Sequence, residues 1–301
     1  DRLEDPSPAG RAAERALRDA TLAELAAIPV DGLPVEERIT HDMLRVVCEL
    51  GNEANDLRMD LVALVDHIDG PQSLLPQLVR FQPADTPERL ERLLARLAAF
   101  GPFVDAHVAL LEEARASGMT APRIVAERAI AQAERMLAVP AAESAVATGV
   151  RLAADDAAGR ERVVAVVRDV VAPALARYVD ALKGPYLAAT RTDPGLWSAP
   201  DGATRYRMAV RAWTTLDLDP GDLHQVGLDE LAAIDGERRA IAADAGFETV
   251  AAYRAHLAAD PANHAARPEE LVELATADIG RAMAAAPRWF GRLPAAACVV
   301  R

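Results

Sequence analysis

Apolar residues recur along most of this chain at the three- and four-residue spacing of an α-helix, with charged residues between them. The clearest example follows Thr86-Pro87, a pair typical of a helix N-cap and first helical position. The apolar stripe there consists of Leu90, Leu93, Leu94 and Leu97. An amphipathic helix of this kind buries its stripe against neighbouring helices.

The same reasoning divides most of the sequence into helices separated by proline, glycine and short polar turns. They are predicted over about 8–28, 35–65, 86–111 with a kink or break at Gly101-Pro102, 122–137, a series of pieces ending in a glycine C-cap at Gly184, 219–246, 249–259 and 268–286. A further helical segment precedes a predicted turn at Thr214-Thr215. The helix that begins at Asp219-Pro220 is expected to turn one face inward. That face carries Leu223, Val226, Leu231, Ile234 and Ile241.

The end of the chain changes character. Residues 297–301, Ala-Cys-Val-Val-Arg, predict a short β-strand. No partner strand is evident, so we expect a chain that stops there to continue in a longer protein. Without internal repeats or linkers, the sequence predicts a mainly all-α fold. We expect long antiparallel helices in an irregular bundle, forming a single domain over 1–301.

Composition and charge narrow the partners. Hydrophobic residues make up 51% of the chain but aromatic residues only 4%. Much of the hydrophobic share is alanine, the best helix former. The net charge of -13 repels phosphate backbones, so nucleic acid is not an expected partner. No apolar run has the roughly 18 residues that a membrane span needs. No signal peptide is visible, which predicts a cytoplasmic protein, although a leader removed before Asp1 would leave no trace.

Residues that could carry chemistry are sparse. A zinc-binding helix needs two histidines four residues apart, and none of the six histidines has a neighbour at that spacing. Cys48 and Cys298 match no zinc or redox spacing. The loop segment Asp66–Asp69 combines polar ligand types, but a turn with local hydrogen bonds is the simpler interpretation. The sequence predicts no catalytic residue, metal ligand or cofactor in this chain.

Five residues on either side of the Thr-Thr turn are candidates for substrate contact. Tyr206 and Trp213 lie two helical turns apart on one face, and core packing is their ordinary interpretation. The hydroxyls of Thr214 and Thr215 ordinarily satisfy helix ends, and His224 ordinarily caps the first turn of its helix. The alternative places all five on the wall of a substrate-binding cleft.

Three patches in order resemble a bacterial helical family, domain of unknown function 885. The first is Asp69-Gly70-Pro71-Gln72-Ser73 with Leu75-Pro76-Gln77-Leu78, and the second is Pro122-Arg123-Ile124-Val125-Ala126-Glu127-Arg128 with Ala131-Gln132 and Met136-Leu137. The third consists of Gly202, Tyr206, Thr214-Thr215, Asp217-Leu218, Pro220, Leu223-His224, Gly227-Leu228 and Glu230. Together the patches extend over most of the chain.

The resemblance implies a distant relationship to helical zinc peptidases. Members of the family extend well beyond this length, and their HExxH zinc helix lies in the second half. The resemblance therefore implies that this chain is the N-terminal, cleft-forming half. It would be inactive alone, and its partners would be a peptide or peptide-like substrate and the C-terminal half of the same protein. The full-length protein would use zinc to activate water, with glutamate as general base.

A different class of function remains open beside this one. The chain could instead be a self-contained helical binding or scaffold module without enzymatic activity. That hypothesis requires a terminal strand that pairs within the domain or across a dimer.

Overall fold

A computed structural model describes residues 3–300, and helices account for most of them. The helices are α1 (Pro8–Ala26), α2 (Val35–Asp56), α3 (Met59–Val62), α4 (Pro71–Phe81), α5 (Pro87–Ala98), α6 (Phe100–Ser117), α7 (Arg123–Leu137), α8 (Ala145–Gly149), α9 (Ala157–Val166), α10 (Ala172–Ala181), α11 (Gly202–Thr214), α12 (Pro220–Asp244), α13 (Val250–Ala259) and α14 (Pro268–Ala285). Over the described residues the only β-pairing consists of two isolated bridges. The predicted all-α class is confirmed.

The predicted terminal strand is not formed over the part of it that the structure describes. Residues 297–300 have no strand partner, and Val299 is 62% exposed. A strand needs a neighbour to pair its backbone groups, and no described segment supplies one here. Arg301, the last residue of the prediction, lies outside the described residues.

The predicted helix starts are accurate because their capping residues act as expected. Ser7 Oγ accepts a hydrogen bond from Gly10 N at 3.2 Å, and Thr86 Oγ1 accepts one from Arg89 N at 3.3 Å. Gly246, with φ of 82°, follows the end of α12 as predicted.

The long helix predicted over 35–65 is wrong in its last part, after residue 56. Helix α2 ends at Asp56, and Arg58 takes the left-handed conformation with φ of 50°. The guanidinium of Arg58 pairs with Asp60 and Glu113, and these ion pairs raise its pKa. Side-chain pairing therefore holds a backbone conformation that apolar periodicity does not reveal.

Two π-helical turns interrupt the helical run that follows residue 157, at Val167–Val171 and at Leu182–Tyr186. Each precedes or contains a proline, Pro173 or Pro185, which has no N–H to donate and obstructs the ordinary i→i−4 bond. The predicted C-cap at Gly184 is therefore wrong, because this glycine lies inside the second π turn with ψ of -139°.

By its internal contacts the chain divides into two compact units, Asp1–Pro220 and Gly221–Arg301. The sequence predicted one domain over 1–301, whereas the internal contacts separate two units. The core of the first unit gathers the stripes of α5, α6, α7 and α10. Its most deeply buried large side chains include Leu93, Leu97, Phe100, Tyr178 and Tyr186.

The second unit differs, because the predicted inward face of α12 is largely exposed. Val226, Leu231, Ile234 and Ile241 are between 40% and 59% exposed, and Ala242 is the residue of this helix that is buried. The apolar residues do share one face of α12, but no other segment of the second unit covers that face.

Helices α5 and α6 run consecutively from Pro87 to Ser117, a stretch long and apolar enough to cross a membrane by length and composition alone. Such a stretch also occurs as a core helix of a globular protein, and Leu93, Leu97 and Phe100 lie in the core here. The expectation that the chain has no membrane span stays a prediction.

Two buried tyrosines, one on α10 and one in the π turn that follows it, have opposite hydrogen-bonding states. The hydroxyl of Tyr186 accepts a hydrogen bond from Ala121 N at 2.9 Å. The hydroxyl of Tyr178 has no partner among the described residues, and the side chain is fully buried. Burial raises the pKa of both phenols, so both stay neutral.

We predict opposite effects of removing these hydroxyls. Tyr178→Phe removes an unsatisfied polar group and is expected to raise the free energy of unfolding by about 1 kcal/mol. Tyr186→Phe leaves the Ala121 N–H unpaired and is expected to lower it by about 2 kcal/mol. Urea denaturation of both variants measures the difference, and equal effects would contradict the hydrogen-bond assignment.

His107 on α6 makes the first unit sensitive to acid. Its ring lies 4.2 Å from that of Phe103, and Nδ1 is 3.0 Å from Phe103 O. Burial lowers its pKa below the usual 6.5. The unfolded chain therefore binds a proton at higher pH than the folded one, so this stability is present above about pH 6.5 and is lost as the pH falls towards the folded pKa.

We predict that His107→Gln reduces the loss of stability between about pH 7 and about pH 5, where carboxylates contribute less. The measurement is the midpoint of urea denaturation at both pH values. A loss as large in the variant as in the original protein would contradict the prediction.

Candidate functional site

The five candidate residues are distributed over both units. Tyr206, Trp213, Thr214 and Thr215 belong to α11 and its end in the first unit, whereas His224 is an exposed residue of α12 in the second. Tyr206 is 42% exposed and Trp213 is 89% exposed. Core packing, the ordinary interpretation of these two aromatic residues, is therefore wrong.

The two threonines end α11, as the turn prediction required. Thr214 Oγ1 donates to Val210 O at 2.7 Å and accepts from Leu216 N at 3.1 Å. Thr215 is left-handed with φ of 61°, and its N–H donates to Arg211 O at 2.8 Å. The hydroxyls of both threonines therefore have hydrogen-bond partners within the turn. Their main role is to stabilise the end of α11.

A shallow cavity of about 300 Å³ lies between α2 and the end of α11. Its lining consists of Val46, Glu49, Leu50, Glu53, Arg211 and Thr215. Arg211 pairs with Glu53 across the cavity, and this contact raises the pKa of the guanidinium. Glu49 is held by Arg45 at 3.0 Å. The cavity is thus lined by the apolar side chains of Val46 and Leu50 and, beside Thr215, by a charged wall that includes Arg211 and Glu53.

An exposed apolar stripe on α2 leads to this cavity. Val35, Ile39, Met43 and Val47 follow one another at four-residue spacing, which places them on one side of the helix. They are between 52% and 63% exposed. A contiguous apolar surface of this kind marks an interaction site more often than a solvated face. We call Val35, Ile39, Met43 and Val47 the apolar face.

A buried arginine joins α11 to the end of α2, the helix that carries the apolar face. Arg205 on α11 is 4% exposed. Its Nε donates to Leu57 O, at the end of α2, at 3.0 Å, and the same guanidinium donates to Pro200 O and contacts Met119 Sδ. The side chain therefore positions α11 against the end of α2.

A metal ion needs several side chains that together can hold it. Within residues 3–300, no three His, Cys, Asp or Glu side chains come together as metal ligands. The loop at Asp66–Asp69 is a local turn, as predicted, with Asp66 Oδ1 accepting from Ile68 N at 2.5 Å and from Asp69 N at 3.3 Å.

Sequence reasoning missed Arg205 and the stripe on α2. The stripe had a signal, because four apolar residues at four-residue spacing lie on the side of α2 away from buried Cys48. Arg205 had none, since an arginine in an amphipathic helix is ordinarily solvated.

We predict that Arg205→Met lowers the free energy of unfolding by about 3 kcal/mol, because two carbonyls lose a buried charged donor. Its matched control is Arg207→Met, an exposed residue of the same helix, expected to change stability by less than about 0.5 kcal/mol. Thermal or urea denaturation measures both, and equal losses would contradict the positioning role.

Known proteins resemble this chain in fold and in sequence. The chain is similar to the crystal structure described as the "putative lipoprotein from Colwellia psychrerythraea", with 22% identity and a TM-score of 0.80. The match covers 97% of this chain and 54% of that one, so the chain spans about half the length of the structure it matches. At this identity the likeness concerns the fold alone.

Comparison with curated protein sequences gives no match. The family model described as "Bacterial protein of unknown function (DUF885)" matches residues 1–301. This match covers all three patches that carry the resemblance. The chain therefore belongs to the DUF885 family.

Proposed function

We propose that this chain is the N-terminal, cleft-forming half of a longer zinc-metallopeptidase-like protein, in which it binds an extended peptide. The observation that carries the proposal is the apolar face, which runs along α2 towards the cavity beside Thr215. Side chains of an extended peptide alternate in direction, so one set would pack on this face. The charged wall of Arg211 and Glu53 would contact the peptide backbone.

Uncovered apolar surface elsewhere supports a longer protein. Val226, Leu231 and Ile234 leave one face of α12 exposed, and Leu271 and Leu274 do the same on α14. A folded protein rarely leaves faces of this size in water. The similar lipoprotein structure contains nearly as much chain again as the part that matches. In our proposal, that additional part covers these helices.

The metal ligands that this chain offers decide which part of the proposed protein would hold zinc. The described residues do not fit a zinc site, because they offer no group of three ligands. The proposal therefore assigns zinc to the remainder of the protein and gives this chain no step in bond cleavage. Its contribution is peptide binding and the exclusion of water, with Tyr206, Trp213, Thr214 and Thr215 of the first unit as the candidate contact residues.

We predict that removing an exposed aromatic side chain weakens substrate binding. In the full-length protein, Trp213→Ala is expected to raise KM for a peptide substrate about tenfold with little change in kcat, because a lost aromatic contact costs about 1.4 kcal/mol. Trp289→Ala is the control, since Trp289 is 80% exposed and lies in the second unit. Equal effects of the two substitutions would contradict a peptide site at α11.

The catalytic division has a separate test. The purified product of the complete native gene and residues 1–301 alone are compared for bound zinc by mass spectrometry and for cleavage of a quenched fluorescent peptide library. We expect stoichiometric zinc and cleavage only in the complete product. Zinc-dependent cleavage by 1–301 would overturn the proposal. A complete product that neither binds zinc nor cleaves peptides would favour the self-contained binding or scaffold module.

A further inference from the structure

We propose that a second cavity in the first unit binds an amphipathic carboxylate, a fatty-acid-like molecule with one apolar chain. The cavity measures about 710 Å³ and lies between α7, the segment 141–148 and the π turn at Val167–Val171. This is within the range of pockets that hold small ligands. It shares no lining residue with the cavity beside Thr215, so the proposal is independent of peptide binding.

The polar end of the cavity is lined by the half-buried Gln132, whose amide bonds the buried amide of Gln72 behind it. Gln72 is 1% exposed, and its Nε2 donates to Asp66 O at 2.7 Å. A backbone carbonyl can only accept, so this contact fixes which end of the Gln72 amide is nitrogen. The same nitrogen donates to Gln132 Oε1 at 3.2 Å. The oxygen of Gln132 is therefore engaged, and its NH₂ group remains as a donor on the cavity wall.

Gly70 allows this arrangement. A Cβ at position 70 would lie 2.5 Å from Gln72 Oε1 and 2.3 Å from Asp66 O. Only glycine permits the Gln72 amide to approach so closely. The first two family patches, which contain Gly70 with Gln72 and Gln132, thus meet at the polar end of this cavity.

A positive charge stands beside the Gln132 amide. Arg135 follows Gln132 by three residues on α7, so the two side chains are neighbours on one face, and both line the cavity. Arg135 makes no ion pair with any residue that the structure describes. Arg168, also on the rim, is already paired with Asp169 at 2.7 Å. An amide donor and an unpaired guanidinium match a carboxylate.

The rest of the wall is apolar. Val167, Val171 and Leu175 come from the π turn and α10, and Met136 and Val146 face the same space. The π turn arises before Pro173, and such turns recur at functional sites because they widen a helix locally. An unbranched alkyl chain fits this wall, since it presents no polar atom to it. Glu143 on the rim carries the opposing charge.

The test is calorimetric titration of the 1–301 protein with decanoate, below its micelle concentration. We expect saturable binding of one decanoate per chain and at least tenfold weaker binding of decanol, which lacks the charge. Arg135→Gln is expected to weaken decanoate binding about tenfold, as loss of one charge-assisted contact does. Glu143→Gln is expected to strengthen it by removing repulsion.

Two variants serve as controls. Arg128→Gln removes an exposed charge from the same helix outside the cavity and is expected to leave binding unchanged. Ala145→Trp places a large ring at an exposed position of the wall and is expected to abolish binding without disturbing the core. The proposal is overturned by absent or non-saturable binding, by equal affinity for decanol, or by binding that survives both Arg135→Gln and Ala145→Trp.

Discussion

The placement of α11 against α2 in the first unit depends on a buried guanidinium rather than on an apolar contact. Arg205 donates to Leu57 O, where α2 ends, and to Pro200 O, just before α11 begins. A buried charge is costly unless its donors are engaged, so this residue tolerates few alternative placements of the two helices. The apolar face and the cavity beside Thr215 both lie along these helices. Their geometry is thus set by hydrogen bonds, although their surfaces are mainly hydrophobic.

Sequence patterns predicted what is local in this fold. Ser7 and Thr86 cap their helices, and the stripe of α5 is buried, because propensity, capping and period act within a few residues. The end of α2 at Asp56 was not predictable in the same way. It depends on Arg58, whose partner Glu113 lies on α6, far along the chain.

The candidate site was predicted only in part, for a related reason. The sequence identified Tyr206 and Trp213 as neighbours on one helix face, but a period of seven cannot tell whether that face points to a core or to water. The structure exposes both residues. The face of α12 shows the converse case, because its apolar pattern predicts burial and the second unit leaves it exposed. Periodicity identifies a face, and only tertiary packing determines what lies against it.

The two π turns have a further consequence for how this fold can vary. A π turn holds one residue more than the α-helical turn it replaces, so it is the place where a one-residue insertion or deletion does least damage. Deleting one residue from Val167–Val171 would shorten the run there while α9 and α10 keep the faces they now bury. The turn at Leu182–Tyr186 differs, because Gly184 within it has a non-helical backbone. The helical run from residue 157 to residue 188 is thus adjustable in length on the wall of the larger cavity.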